Sequence, residues 1–339
     1  MRIFLWISIF IFSLTLSYFV GQRDLSIGVD SLNYYNFFMH LDRAQVDYVR
    51  ISEPFFVVMT LISLSLSSDY RYYFSIISFF SFFLLSGSYF RILDSINLPS
   101  KRVVLLTFTS LIILILIPFF WAVQLNVLRV GLSVPFIFLA INSFSNKKNI
   151  LGFVYFIIAG LFHYSAFMYF FIYIIINLFY KNFNKYFYKI FYFIFFLYIV
   201  GLNRIIFESF QGVFINYNLY SGYIEGDGGV YKSGIRYDFI LFSLVFLVLI
   251  YFVSIKNNNE YLARFCMGCH ILVIPFLFFG HLPFSDRLLL PFWLLIPIIL
   301  TFLMELIFHK KIWFNSILII SPFLFCMIIY FSLIVYSLI

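Results

Sequence analysis

Long uninterrupted apolar runs, separated by short charged turns, are the feature that most limits how this chain can fold. Hydrophobic residues make up 64% of the 339 residues and charged residues only 11%, which is too little polar surface for a water-soluble protein. A membrane-spanning segment must pair its own backbone, so it is a helix or part of a closed barrel. The runs here are continuous and do not alternate at every second residue, as barrel strands do. The sequence therefore predicts an all-α polytopic integral membrane protein.

The apolar runs predict about 11–12 hydrophobic helical segments in a single transmembrane domain, residues 1–339. No small-x-small cleavage site follows residues 3–20, so we expect a retained first helix and not a signal peptide. Residues 55–66 would reach only about 18 Å across roughly 30 Å of hydrocarbon, which predicts either a tilted short span or a re-entrant or interfacial helix. Residues 150–180 exceed one ordinary span, and we break them at the polar triplet that begins at His163. The predicted segments are residues 3–20, 55–66, 72–90, 103–120, 127–141, 150–162, 166–179, 190–207, 239–255, 265–279, 288–308 and 312–339.

The charged turns fall into two groups, and the positive-inside rule assigns the lysine-rich group to the cytoplasm. If the N-terminus is also cytoplasmic, residues 21–54 form a first extracytoplasmic loop and residues 208–238 a second, larger one. The opposite orientation of the N-terminus stays open, because charge near one short terminus is weak evidence. The lysine-rich turns lie at residues 101–102, 147–148, 181–189, 256 and 310–311, and the other group at residues 121–129, 163–165, 208–238 and 280–287.

Several arginines and a few carboxylates collect on the predicted outer face. Guanidinium groups bind phosphate oxygens in a bidentate fork, so this set suggests a dianionic substrate. An arginine within a span is costly unless it faces a cavity or a partner, which favours a functional Arg129 over a snorkelling one. The alternative to a functional Arg287 is a local cap or an ion pair with Asp286. The alternative to a functional Arg236 is a place in an exposed, glycine-rich surface loop. The outer set comprises Arg23, Asp24, Asp30, Glu53, Gln124, Asn126, Arg129, His163, Ser165, Arg236, Asp238, Asp286 and Arg287.

His163 is the candidate for proton transfer. It lies at the predicted outer membrane level, in a break that the span length requires, and imidazole titrates near neutrality. A structural or interfacial histidine is the alternative. Tyr34 lies on the same side, where an aromatic belt and stacking on sugar rings are both reasonable uses.

Two features that would suggest other partners in a soluble protein have ordinary explanations here. The formal charge of +8 comes largely from Lys and Arg at helix ends, so it does not indicate a nucleic-acid partner. Cys266, Cys269 and His270 look like a metal-binding fragment, but no second ligand pair follows and the fragment is mid-helix. We therefore expect no metal and no cofactor.

The order of these residues resembles a known family. Arg23, Gly28, Asp30 and Tyr34 form R-x4-G-x-D-x3-Y; Glu-Pro-Phe from Glu53, N-x2-R from Asn126, H-x-S-A from His163 and a late arginine follow in turn. This order, over about residues 20–310, is similar to that of the EpsG and Wzy-type polysaccharide polymerases, which include the O-antigen and capsular repeat-unit polymerases of bacteria. Val130 and Gly131 stand where a Gln commonly follows the Arg129-type arginine.

The resemblance implies a multi-pass membrane glycosyltransferase of the bacterial cytoplasmic (inner) membrane. It would polymerise undecaprenyl-pyrophosphate-linked oligosaccharide repeat units at the outer face, in O-antigen and lipopolysaccharide, capsule or exopolysaccharide biosynthesis. A chain-length regulator protein would be a partner. On this interpretation pyrophosphate binds Arg129, Arg236 and Arg287, with Arg23 next. The base is His163, with Asp30 or Glu53 second, and Tyr34, Asn126, Ser165 and Asp286 are further substrate contacts.

Other functions remain alternatives at this point. A lipid-linked glycan ligase would place similar arginines and a histidine on the same face. A transporter or flippase of the lipid-linked oligosaccharide would need charges along a central path between two similar halves, and the sequence has no internal repeat. An acyltransferase would suit a histidine-centred site, but the His-x4-Asp type of motif is absent.

Overall fold

The computed structural model describes residues 2–43, 53–178, 186–205, 234–282 and 284–308. Within these ranges all regular secondary structure is helical, as predicted. The predicted segment 312–339, the lysines at residues 181–185 and 310–311, and residues 208–233 of the second predicted loop lie outside the described residues. The helices are α1 Arg2–Gly21, α2 Ser31–Asp42, α3 Pro54–Leu66, α4 Tyr70–Asp94, α5 Ser100–Leu116, α6 Pro118–Leu125, α7 Leu128–Ser145, α8 Asn149–Phe162, α9 Ala166–Leu178, α10 Phe187–Val200, α11 Tyr237–Asn257, α12 Glu260–Phe279, a 3-10 turn Ser285–Leu288, α13 Leu290–Trp293 and α14 Ile296–Phe308.

Six helical stretches among the described residues are long and apolar enough to cross a membrane. They are α1, α4, α7, α11, α12 and the stretch Leu290–Ile307, which contains α13 and most of α14. Helices α3, α8, α9 and α10 are apolar but shorter. The chain is thus a polytopic helical membrane protein.

The predicted segment 103–120 is not one helix. It divides into α5 and α6, which meet at an angle of 73°. Ile117 is extended and Pro118 begins α6, because a proline disfavours helical backbone in the residue before it. The indole N–H of Trp121 donates to the carbonyl of Ile115 at 2.9 Å and satisfies one acceptor freed by the break. The bend directs the end of α6 against the first loop.

The first predicted loop contains a helix, α2, that the sequence analysis missed. Tyr34, Phe38 and Leu41 form its buried stripe at helical spacing. Phe38 stacks on Tyr73 of α4, and Tyr34 meets Phe56 of α3 edge-on. Helix α2 is therefore packed as a layer over α3 and α4.

Helices α1, α4 and α7 define the two ends of the bundle. Arg2 pairs with Asp94, and a Cβ at Gly21 would collide with Ser75, so α1 and α4 are antiparallel. Gly131 packs on Ser81, and the Asn146 side chain donates to Ser95 Oγ at 3.0 Å, so α4 and α7 are parallel. The end of the bundle that contains the N-termini of α4 and α7 is called the site end below.

Helix α3 runs from the level of the start of α7 toward the N-terminus of α4. Its first residue follows Glu53, which contacts the start of α7, and its last residue precedes α4 by a three-residue link. The predicted short helix over residues 55–66 is confirmed as α3. Ser81 lies about three turns into α4, so the start of α7 is roughly 15 Å below the N-terminus of α4.

The described lysine-rich turns lie at the opposite end. Lys147 pairs with Glu260 at 2.8 Å, and Arg102 pairs with Glu305 at 3.2 Å. The Tyr261 hydroxyl donates to Asn142 Oδ1 at 2.9 Å between α12 and α7. The two groups of turns that the charge pattern separated are therefore separated in space.

The Cys-x-x-Cys-His fragment is part of the core of α12. Cys266, Cys269 and His270 are fully buried, and His270 Nδ1 lies 2.9 Å from the carbonyl of Cys266, to which it donates. Aromatic side chains of α10 surround the ring, with the Phe191 centroid 4.8 Å and the Tyr188 centroid 5.1 Å away. His270 acts here as a packing residue between α12 and α10.

Candidate active site

The carboxylate of Glu53 joins two polar side chains from distant parts of the chain. Its Oε2 accepts a hydrogen bond from Arg129 Nη1 at 2.7 Å, and its Oε1 lies 2.9 Å from His163 Nδ1. Glu53 precedes Pro54 at the start of α3, and only 3% of its surface is exposed. Because both oxygens are engaged and the group is buried, the carboxylate is held in one orientation.

His163 follows the last residue of α8, in the break that the sequence predicts. Its backbone N–H donates to the Ala159 carbonyl at 2.9 Å, and its extended backbone then turns the chain toward α9. An ionised carboxylate can only accept, so Nδ1 carries the proton in the pair with Glu53. Nε2 then presents its lone pair away from Glu53. Within the described ranges, Glu53 is the only hydrogen-bond partner of the His163 ring.

Opposing effects set the protonation of this pair. Burial disfavours ionised Glu53, but the hydrogen bond from His163 and the charge of Arg129 outweigh it and lower the pKa of Glu53 to about 2. Burial lowers the pKa of His163 below its ordinary value; the charges of Arg129 and Arg287 add to this, while Glu53 opposes it. Near neutral pH the pair is therefore a carboxylate and a neutral imidazole.

Arg129 lies in the first turn of α7, directly after the end of α6. Its guanidinium is 5.9 Å from the ring centroid of Tyr34 and 6.0 Å from that of Phe56. The side chain is 33% exposed, the largest fraction in the Glu53 group. Arginine has five N–H donors, and Glu53 accepts from one nitrogen, so further donors remain for an anion.

A second ion pair joins the first loop to a late turn. Arg287 Nη2 donates to Asp30 Oδ2 at 2.7 Å, across 257 residues of chain, and both side chains are less than one-fifth exposed. Asp30 precedes α2, one helical turn before Tyr34, which approaches Arg129. The charge of Arg287 also lowers the pKa of His163. The two pairs thus adjoin and form one polar site.

Arg236 and Asp286 lie at the edge of this site. Arg236 forms a two-point pair with Asp238, at 3.0 and 2.7 Å, and its guanidinium lies 3.6 Å from the Phe239 ring centroid. Burial raises the pKa of Asp286, against the charges of Arg287 and Arg236. Arg236, which the sequence assigned to phosphate binding, is therefore already paired with the carboxylate of Asp238.

Arg23 is placed differently from the other candidate arginines. It is 6% exposed and donates to the backbone carbonyls of Val20, Gln124 and Leu125 and to Ser31 Oγ. Its guanidinium lies 4.1 Å from the Phe74 ring centroid. Burial lowers its pKa to about 10. These contacts fix the first loop to the end of α6, next to Asp30.

The remaining sequence candidates surround the two pairs. Ser165 is partly exposed in the His163 turn. Asn126 Oδ1 is buried, has no hydrogen-bond partner in the described part of the chain, and lies 2.6 Å from where a Cβ on Gly28 would be. Gln124 is fully buried and hydrogen-bonds to Ser78 and Ser81, which holds α6 against α4. Asp24 caps a turn through Ser26 N–H at 2.8 Å, away from the ion pairs.

Sequence reasoning missed Ser31. Its hydroxyl donates to the Ile27 carbonyl at 2.7 Å and accepts a hydrogen bond from the Arg23 guanidinium. A serine at a helix start next to Asp30 was the available signal. The pairing of Glu53 with both Arg129 and His163 was also missed, because no local pattern links residues so far apart.

The arrangement can bind an anion and accept a proton within one site. Arg129 and Arg287 offer guanidinium donors, and neutral His163 offers an unprotonated nitrogen beside them. Within the described ranges, no group of three or more His, Cys, Asp or Glu side chains is arranged so that it could hold a metal ion.

A family model described as the EpsG family matches residues 6–338. No curated protein and no solved structure gave a match.

Proposed function

Because this chain belongs to the EpsG family, whose match indicates a function of polysaccharide-polymerase type, we propose that it polymerises undecaprenyl-pyrophosphate-linked oligosaccharide repeat units. The product is an O-antigen, a capsule or an exopolysaccharide of a bacterium. The observation that carries the proposal is the convergence of Arg129 and His163 on Glu53, which puts an anion-binding group and a proton acceptor side by side.

The proposed reaction transfers the growing glycan from one lipid carrier to another unit. The acceptor hydroxyl oxygen forms a bond to the anomeric carbon, and the bond from that carbon to the pyrophosphate oxygen breaks with its electron pair. His163 Nε2 takes the hydroxyl proton, and undecaprenyl pyrophosphate leaves as an anion. Arg129 and Arg287 stabilise the charge that develops on the leaving oxygen. Arg236 supports the same charge from the edge.

The site end of the bundle is proposed to face the outside of the cytoplasmic membrane. The described lysine-rich turns lie at the other end, which the positive-inside rule assigns to the cytoplasm. Lipid-linked substrate then reaches the site from the outer leaflet, and a chain-length regulator would contact the same side.

Deletion of the gene and complementation test this function, with the surface glycan separated as a ladder on a gel. Complementation by the wild-type chain should restore the ladder, while Arg129→Ala, Arg287→Ala and His163→Ala should insert normally and leave capped single units. Lys147→Ala, at the opposite end, is the control and should restore the full ladder.

The pattern of loss separates the alternatives. Loss of polymer with single repeat units still on the final acceptor supports a polymerase, and loss of both indicates a ligase. Full-length ladders from both arginine variants would contradict the pyrophosphate-binding role, and an undiminished ladder from His163→Ala would exclude it as the base.

A further inference from the structure

Glu53 is chemically unusual among the carboxylates of this site because it serves two different partners. One oxygen engages Arg129 and the other His163, at 2.7 and 2.9 Å. The side chain contacting both is 4% exposed, so solvent does not compete for it. Its backbone is also held in place, because Pro54 begins α3 immediately after it.

We propose that Glu53 is a positioning residue that holds the His163 base in its Nδ1-protonated tautomer and sets its spacing from the pyrophosphate-binding Arg129. This inference rests on the proposed function. It assigns Glu53 no contact with substrate and no part in proton transfer.

The geometry explains why the proton goes to His163 and stays there. Nε2 receives the acceptor proton, and the resulting imidazolium is stabilised by the Glu53 carboxylate at Nδ1. Arg129 binds the second Glu53 oxygen and keeps the carboxylate ionised, so the Nδ1 proton remains on the ring. The charged groups that act on His163 are Glu53 from the start of α3, Arg129 from α7 and Arg287 from the late turn.

The same carboxylate couples the base to the leaving-group side. Glu53 accepts from one nitrogen of Arg129, so other guanidinium donors can bind phosphate oxygens without releasing Glu53. Pyrophosphate binding therefore leaves His163 in place.

The first test is steady-state kinetics in proteoliposomes, with purified lipid-linked repeat unit as both donor and acceptor. Glu53→Gln keeps the shape and removes the charge. We expect kcat to fall roughly 100-fold or more, with KM changed less than about threefold. The acid limb of the pH profile should move to lower pH, because loss of a neighbouring anion makes imidazole less basic. Glu53→Asp, which keeps the charge, should recover part of kcat.

Glu305→Gln is the matched control. It removes a carboxylate from another partly buried arginine pair, at the opposite end, where Glu305 accepts from Arg102 at 3.2 Å. Wild-type kcat and pH profile are expected. If Glu53→Gln also keeps the wild-type kcat and pH profile, the proposal is overturned.

A second measurement does not depend on activity. Nitrogen NMR of ¹⁵N-histidine-labelled protein in lipid, with the His163 signal identified by its loss in His163→Ala, reports the tautomer. Protonated Nδ1 and unprotonated Nε2 are expected in the wild type, and the reverse tautomer would overturn the proposal. If wild-type protein shows the expected tautomer but does not extend lipid-linked units, the proposed function fails while the Glu53–His163 geometry stands.

Discussion

The candidate arginines look alike in the sequence, but each has its own setting in the structure. Arg129 shares a carboxylate with a histidine, Arg287 pairs with Asp30, and Arg23 is surrounded by backbone carbonyls. The sequence pattern predicted that these residues matter. It could not separate an arginine that holds a loop from one that is open to an anion, because that difference lies in partners distant along the chain.

Arg129→Lys is expected to weaken donor binding while leaving the fold intact. Lysine can still pair with Glu53, but it lacks the planar fork that binds two phosphate oxygens at once. We expect KM for the lipid-linked donor to rise at least about tenfold, which corresponds to roughly 1.4 kcal/mol. The control is Arg264→Lys, which alters an arginine paired with Glu260 at the opposite end. An unchanged KM would show that a point charge is sufficient at this position.

On the proposed mechanism, the pH dependence of kcat/KM follows the ionisation of His163 in the free enzyme. Its pKa is lowered by burial, and neutral imidazole is the active form, so activity should be constant above the ordinary histidine value of about 6.5 and fall below it. Glu53 does not add a second limb in this range because its pKa is about 2. The measurement is kcat/KM from pH 5 to 9 in proteoliposomes. An acid limb centred above pH 7 would contradict this assignment.

At the scale of elements, the first loop contacts the end of α6 closely at Gly28. Gly28 has φ of +95°, and a Cβ there would lie 2.6 Å from Asn126 Oδ1 and 2.9 Å from the Leu125 carbonyl. Both the conformation and the lack of space therefore require glycine. Asp30 lies two residues later, so its position depends on the contact that Gly28 makes with α6.

Gly28→Ala should consequently lower both activity and thermal stability in detergent. The matched control is Gly234→Ala, where φ is +121° but nothing lies within 4 Å of the added Cβ. Both changes introduce backbone strain of about 1–2 kcal/mol, and only the first adds a collision. Equal melting temperatures and equal polymer ladders for the two variants would show that the Gly28 contact has no role.

Most elements could be predicted from the sequence, because apolar run length and polar breaks are local signals. The break at His163 and the short helix α3 are examples. The bend at Pro118 and helix α2 were not predicted, although each had a local signal: a proline in one case, and Tyr34, Phe38 and Leu41 at helical spacing in the other. The bend was not recognised because it lies in an apolar run that looks like one continuous span. Helix α2 was not recognised because it lies in a stretch that is polar overall.

At the scale of the whole molecule, the grouping of turns by charge predicted which segments meet. The site end collects the first loop, the end of α6, the His163 turn and the 3-10 turn, as the positive-inside argument implied. The individual pairings could not be predicted, because several arginines and carboxylates face the same end and only the packing of the helices selects among them.

The Asp30–Arg287 pair tests this long-range closure by charge reversal. Asp30→Arg and Arg287→Asp should each lower the melting temperature in detergent, and the double variant should recover much of the loss, with a coupling energy of about 1–3 kcal/mol. Polymerisation should stay low in the double variant, since the guanidinium has moved from the late turn. For comparison, the more exposed Arg2–Asp94 pair, treated in the same way, should give a coupling below about 1 kcal/mol. Additive effects at Asp30 and Arg287 would mean that the pair does not close the site.

The long separation of these partners also has a consequence for how the protein is made. The ribosome adds about 5–20 residues per second. At roughly that rate Asp30 precedes Arg287, 257 residues later, by about 10–50 s. During this interval its carboxylate must remain hydrated at the membrane surface or carry a proton, as Glu53 must until Arg129 and His163 emerge. The Asp30–Arg287 pair can form only after the late turn has been made, so synthesis itself delays completion of the site until nearly all of the described chain is present.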